Sequence, residues 1–287
     1  MLLDIFKEKS LARSIKSPHL YDDLLASSWA DINQKKEKFG DEGALIYHQK
    51  DDWDSRLSGL NFGKIEYVFG KNISKIKKII SDFIEKTDYE YILIRLPQYE
   101  HLWIQEFNNQ GAIFLDSTVN LSISLKNLVL PENESAEIEL VSEQDEAQVI
   151  EIADNFSFGR FFTDPKVSYG NEAYREWIEN SIKGRAAKEV YVLKTGEKVD
   201  GFITFKYLDI GEEKLLEIPL VGKASDSSRR GVARILLEFA KKHALDKNCS
   251  AITISTQGTN IAALRSYAKA GFKPFNTGLT LRIKKEV

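Results

Sequence analysis

The sequence predicts an α/β (α+β) fold, with a mixed, mostly antiparallel sheet flanked by helices and preceded by a smaller α/β domain. Three observations carry this reading. Short β-type runs alternate with amphipathic helical stretches through both halves of the chain. A polar, turn-rich segment at 126–136, with Pro131 and Glu132-Asn133-Glu134-Ser135, separates the halves. The stretch 217–272 reads strand, turn, helix, strand, helix, with polar residues where the turns must fall. The expected division is a helical extension over 1–45, a small α/β domain over 46–130 and the main domain over 131–287.

In chain order, Ile5, Phe6, Leu11, Ile15, Leu20, Leu24, Leu25 and Trp29 fall in loose helical spacing among lysines, which suits a helical cap over a sheet edge or a dimer surface. Residues 62–69 read as a strand, and Ile73, Ile76, Ile79, Ile80, Phe83 and Ile84 mark one face of a helix. Residues 91–96 form a buried strand stopped by Pro97, and a short helix runs through Trp103 and Phe107. After Gly111, Val119, Leu121, Ile123 and Leu125 alternate with Asn120, Ser122 and Ser124, so one face of that strand is wet. In the second half, a strand at 138–141 precedes helices around Ile150 and Trp177, and strands at 190–193 and 202–207 flank the Thr195-Gly196-Glu197 turn as a hairpin.

The chain has 287 residues, 43% hydrophobic and 29% charged, an ordinary globular composition. No apolar run approaches the roughly 18 to 20 residues that span a bilayer, and mixed charges follow Met1, so a cytoplasmic protein with no membrane partner is expected. A net charge of -3 gives no general attraction to nucleic acid. Cys249 has no partner for a disulfide, and His19, His48, His101 and His243 show no ligand spacing, so no metal is implied.

The richest chemistry lies in 215–272. Pro219 interrupts the apolar run 215–221, which favours a bulged or splayed strand. The turn Ser228-Arg229-Arg230-Gly231-Val232-Ala233 opens a helix; small residues at Gly231 and Ala233 let an anion approach the helix's free N–H groups, and Arg229 and Arg230 add positive charge. Further on, a helix begins at Asn260 and is stopped by Gly271. Asn260 and Tyr267, seven apart, share one face near the preceding strand's exit. Read alone, Asn260 is a helix cap and Tyr267 a core aromatic.

Together these residues resemble the acetyl-coenzyme A binding core of the GNAT superfamily of N-acetyltransferases. That family's Gln/Arg-x-x-Gly-x-Gly/Ala turn is matched by Gly231 and Ala233, with Ser228 at its first position, and its later Asn, small residues, Tyr and Gly-Phe by Asn260, Ala262, Ala263, Tyr267, Gly271 and Phe272. Ser228 departs from the pattern and removes one long hydrogen-bonding side chain. The resemblance implies a GNAT fold, acetyl-coenzyme A as cosubstrate, and direct transfer of acetyl to a neutral amine.

Trp53-Asp54-Ser55 through Phe62-Gly63-Lys64-Ile65, together with Ser157-Phe158-Gly159-Arg160-Phe161, Asp164-Pro165 and Trp177-Ile178-Glu179-Asn180, narrows the likeness. These segments are similar to the bacterial dTDP-fucosamine N-acetyltransferases, whose acceptor is a thymidine-diphosphate 4-amino-sugar. The resemblance makes Tyr267 the general acid and Asp116 the candidate base, with a solvated strand-start carboxylate as the alternative for Asp116. It sets Arg160, with Phe161, on the acceptor side, a surface salt bridge being the rival for Arg160. It assigns Leu220, Val221, Arg229, Arg230, Gly231, Val232, Ala233, Asn260 and Ala263 to the coenzyme. A protein, peptide or small-amine acceptor, or a non-catalytic acyl-coenzyme A sensor, stays open.

Overall fold

A computed structural model describes residues 37–41, 43–129, 138–167, 169–210 and 213–285. The sheet begins where helix was expected. Glu37–Asp41 (β1) pairs antiparallel with Ala44–Lys50 (β2) around Gly43, whose N–H donates to Asp41 Oδ1 at 2.8 Å. The helical expectation is therefore corrected for the strand residues up to 45, and its remainder, in 1–36, lies outside the described residues. The physical reason is a period-2 pattern in β2: Ala44 and Ile46 enter one core while Tyr47 meets Phe69 edge-on from the other face.

The rest of the first half follows the hydrophobic pattern. Asp52–Ser58 (α1) starts on Asp51, whose side chain accepts from Asp54 N–H. Then come Phe62–Gly70 (β3), Ile73–Lys86 (α2), Tyr91–Pro97 (β4), His101–Asn109 (α3) and Ile113–Ser124 (β5). The second half runs Ile138–Leu140 (β6), Glu146–Asp154 (α4), Arg160–Thr163 (α5), Gly170–Ile182 (α6), Glu189–Thr195 (β7) and Lys198–Ile210 (β8). Glu213–Ile218 (β9), Val221–Lys223 (β10), Val232–Asp246 (α7), Ala251–Gln257 (β11), Ile261–Lys269 (α8) and Lys273–Lys284 (β12) complete it. The one-turn α5 was not foreseen.

The strands form one sheet in the order β1-β2-β3-β4-β12-β5-β11-β9-β8-β7-β6, with β10 added to β8. The β3/β4 and β9/β11 pairs are parallel and the others antiparallel, the mixed, mostly antiparallel sheet expected. Strands are exchanged between the halves: β12 lies between β4 and β5, and β5 pairs in turn with β11. α2 and α3 bury Ile76, Ile80, Phe83, Trp103 and Phe107 against one face of the first half. On the other face Phe62, Tyr91 and Leu93 share a core with Val149, Tyr174 and Ile178 of α4 and α6, while α7 and α8 cover the second half through Leu236, Leu237 and Tyr267.

Candidate active site

The break foreseen at Pro219 splits what would have been one strand. β9 pairs in parallel with β11 as far as Ile218 opposite Ile254, whereas β10 pairs only with β8, so the sheet opens between β10 and β11. Leu220 is a correction to the sequence reading. Its N–H is held by Thr204 Oγ1 at 2.9 Å, while its carbonyl accepts from Thr204 N–H at 2.9 Å, so this donor is spent inside the sheet. Hydrogen-bonded and non-bonded pairs alternate in an antiparallel ladder. Thr204 and Leu220 form a bonded pair, so the next pair, Ile203 and Val221, is non-bonded, and the Val221 N–H points away from β8 toward the opening.

The turn before α7 is fixed by side chains. Asp200 accepts from Ser227 at 2.6 Å and from Thr195 at 2.5 Å, and Ser227 Oγ accepts the Arg229 N–H at 3.2 Å. Arg229 turns its guanidinium onto the Lys194 carbonyl at 2.8 Å, which corrects its expected place beside the coenzyme: it ties the turn to the β7–β8 hairpin. Arg230 is exposed, and Gly231 takes φ 74°, a left-handed conformation that costs glycine least. Among the described residues the N–H groups of Val232, Ala233 and Arg234 have no partner, while the Val232 side chain is in the core.

Asn260 Oδ1 accepts the Ala263 N–H at 3.1 Å, so this residue caps α8 and the Ala263 donor is consumed. Tyr267, two turns along α8, is 6% exposed, and among the described residues its hydroxyl has no hydrogen-bond partner. Burial pushes its pKa up, so the phenol keeps its proton.

Asp116 sits at a β-bulge in β5. Thr280 faces Asp116, but the adjacent Leu281 faces Phe114, leaving Leu115 as the extra residue. Burial raises the Asp116 carboxyl to about 6, against the lowering by N–H groups of Ser117 and Arg160 and by the Arg95 charge. Asp116 is thus a nearly buried carboxylate at the cleft and not a solvated one.

Arg160 lines the cleft and is also paired, though not at the surface. Its guanidinium is buried, not at the surface, and donates to Asp54 Oδ2 at 2.6 Å, while Tyr169 donates to Asp54 Oδ1 at 2.9 Å. Phe161, 6% exposed, packs beneath that guanidinium and edge-on to Trp53, whose Nε1 donates to Glu176 at 2.9 Å. The separate segments around Trp53, Arg160 and Trp177 therefore meet in one place. Behind them Asp164 accepts from Tyr91 and, at 3.0 Å, from Arg282 Nε.

A cleft of about 1290 Å³ joins these parts. Its lining includes Asp116, Arg160, Phe161, Leu220, Val221, Ala233, Asn260, Ala263 and Tyr267; Arg229, Arg230, Gly231 and Val232 lie outside it. It also includes Arg95 and Thr280, which sequence reasoning missed. The available signal was a lone arginine inside the apolar run 91–96, since a buried strand seldom carries an unpaired charge.

Residues 151–272 match the Acetyltransferase (GNAT) family. The chain has the GNAT acetyltransferase fold. Its enzyme class is N-acetyltransferase. The spore coat polysaccharide biosynthesis protein SpsD of Bacillus subtilis (strain 168) is 24% identical over 240 residues, covering 80% of each chain. Streptothricin acetyltransferase of Escherichia coli is 49% identical over a short stretch of 43 residues, 15% of this chain and 25% of that one. In fold, the GCN5-related N-acetyltransferase from Sphaerobacter thermophilus superposes with a TM-score of 0.61 at 14% identity, covering 100% of this chain and 92% of that one. Acetyl-coenzyme A is the cosubstrate of GNAT enzymes, and the residues present fit it. The opening at Val221 offers a backbone donor to an amide-bearing arm, and the unpartnered N–H groups at the start of α7 suit phosphates.

Proposed function

We propose that the enzyme acetylates the amino group of a nucleotide-linked amino-sugar, a dTDP-amino-sugar, in the assembly of a cell-surface polysaccharide. One observation carries this reading: a single cleft runs from the opening beside Val221 to a charged end where Asp116 has a raised pKa. The role of SpsD in spore coat polysaccharide biosynthesis supports it.

Acetyl-coenzyme A supplies the acetyl group when bound. Val221 N–H and the donors at the start of α7 hold its arm and phosphates, with Asn260 setting the start of α8. Asp116, ionised above about pH 6, takes the proton from the acceptor amine. Tyr267, protonated at neutral pH, donates a proton to the departing sulfur. Transfer is direct, with no covalent enzyme intermediate. Arg160 contributes from behind: its backbone N–H and charge favour the ionised form of Asp116, and its side chain locks α5 to Asp54.

Coenzyme A release measured with thymidine-diphosphate amino-sugars, peptides and aminoglycosides tests the acceptor. Turnover is expected on the nucleotide sugars, and turnover confined to the other classes overturns the reading. The short match to streptothricin acetyltransferase favours a small-amine antibiotic as the second acceptor class to include.

A further inference from the structure

Arg95 is a residue the reaction above leaves without a task. It lies in β4 among Ile92, Leu93, Ile94 and Leu96, all buried, and is itself half-buried at the cleft wall. Among the described residues no hydrogen bond or ion pair engages its guanidinium. The neighbouring acids are already committed. Asp54 holds Arg160 at 2.6 Å, Glu66 holds Lys64 at 2.6 Å, and Asp51 caps α1. Burial and then the Arg160 charge pull the Arg95 pKa down, while burial and then the Arg95 charge do the same to Lys64. Positive groups thus crowd one another at this end of the cleft. A half-buried guanidinium at the cleft wall with no protein partner among the described residues is open to a ligand, and its five donors in a planar fork match phosphate oxygens.

Register gives its position relative to the reacting amine. Thr280 on β12 is opposite Arg95 on β4 and opposite Asp116 on β5, so the three residues form one row across adjacent strands. Two strand spacings separate the Arg95 and Asp116 backbones, roughly 10 Å. A sugar ring and its linking oxygen fit in that interval, with an amine toward Asp116 and a phosphate toward Arg95.

We infer that Arg95 is the docking point for the diphosphate of the acceptor, with Lys64 beside it, so that the row Arg95, Thr280, Asp116 sets the distance from phosphate to amine. This inference rests on the nucleotide-sugar reading of the same cleft.

The test is binding of thymidine diphosphate and of inorganic pyrophosphate to protein saturated with coenzyme A, by calorimetry, in wild type, Arg95→Met and Arg95→Lys. Saturation keeps the probes off the coenzyme's own phosphate site. Wild type should bind both probes. Arg95→Met should weaken both by about 10- to 100-fold, the worth of charge-assisted hydrogen bonds. Arg95→Lys should recover part of the loss, and coenzyme A affinity and thermal midpoint should stay at wild-type values. No binding to wild type, or equal binding to wild type and Arg95→Met, overturns the assignment. A Met variant that loses coenzyme A affinity and stability together, with the Lys variant no better, also overturns it, because Arg95 is then structural. The acceptor assay separates this from the broader reading. Turnover of dTDP-amino-sugars with an unchanged KM in Arg95→Met removes Arg95 alone. Arg95-dependent pyrophosphate binding without such turnover keeps the phosphate dock and removes the nucleotide-sugar acceptor.

Discussion

On the coenzyme side of the cleft the polar groups are backbone N–H groups exposed by a break and a turn, with the Tyr267 hydroxyl beside them. On the acceptor side they are acidic and basic side chains packed against one another: Asp54 on Arg160, Asp164 on Arg282, and Asp116 and Arg95 at the wall. Backbone donors are positioned by the local chain, and their strength changes little with pH. Buried charges are positioned by partners far away in sequence, and each depends on the others for neutralisation. Substitutions should therefore separate the two walls by chemistry, by pH and by stability.

The largest effect is expected from Tyr267→Phe, which keeps the ring and deletes the proton donor. Turnover should fall by roughly 10²- to 10⁴-fold with coenzyme A affinity and fold intact. Single-turnover rates within about threefold of wild type, far below that range, would make Tyr267 a packing residue.

Asp116→Asn should lower the plateau of kcat/KM by a similar factor, roughly 10² to 10⁴, and give a signature the tyrosine lacks. The wild-type carboxyl titrates near 6, so its rate should fall below that pH as the base is protonated, and the Asn variant should lose that limb. The folded carboxyl sits above its ordinary 3.8, so ionisation opposes folding. The same variant should then melt higher than wild type above about pH 6, with the advantage fading as pH falls from 6 toward 4 and absent below that. Identical rate and melting profiles would remove Asp116 as the base.

Asp54→Ala strips a buried partner from Arg160 and an acceptor from Tyr169. Chemical denaturation should show a loss of about 3 to 5 kcal/mol. Removing Asp154 from its exposed pair with Arg175 should change stability little. Equal losses from both variants would show that burial does not set the worth of the acceptor-side pairs.

Gly231→Val has the smallest expected effect. At φ 74° a branched side chain is strained, and an added Cβ meets no protein atom within 4 Å, so the variant is aimed at the ligand's approach. Coenzyme A affinity should fall by about tenfold, the worth of one or two backbone hydrogen bonds. Unchanged affinity by calorimetry removes the phosphate cradle.

The two walls also differ in how far they could be read from sequence. The splay at Pro219, the turn at Gly231, the cap at Asn260 and the stop at Gly271 each follow from a residue and its immediate neighbours. Thr204's claim on the Leu220 N–H and Asp54's on Arg160 join positions that no local pattern connects. Most strands and helices were legible because hydrophobic period is local. Strand order was not, because β12 meets β4 and β5 through register alone. Arg95 left a trace, a charge in an apolar run, but its meaning required Thr280 on the neighbouring strand and Asp116 on the strand beyond.

The position of β12 has a consequence for the order in which the molecule is made. As the polypeptide emerges during synthesis, β4 and β5 are available long before the strand that joins them. Each must wait with a row of unsatisfied backbone groups, an invitation to pair with another nascent chain. Contacts of such high sequence separation form slowly. The row from Arg95 to Asp116 runs through Thr280, so the acceptor end of the cleft takes shape only when β12 docks. A partly folded chain with α7 and α8 in place could hold the coenzyme, but it would have nowhere to seat an amine.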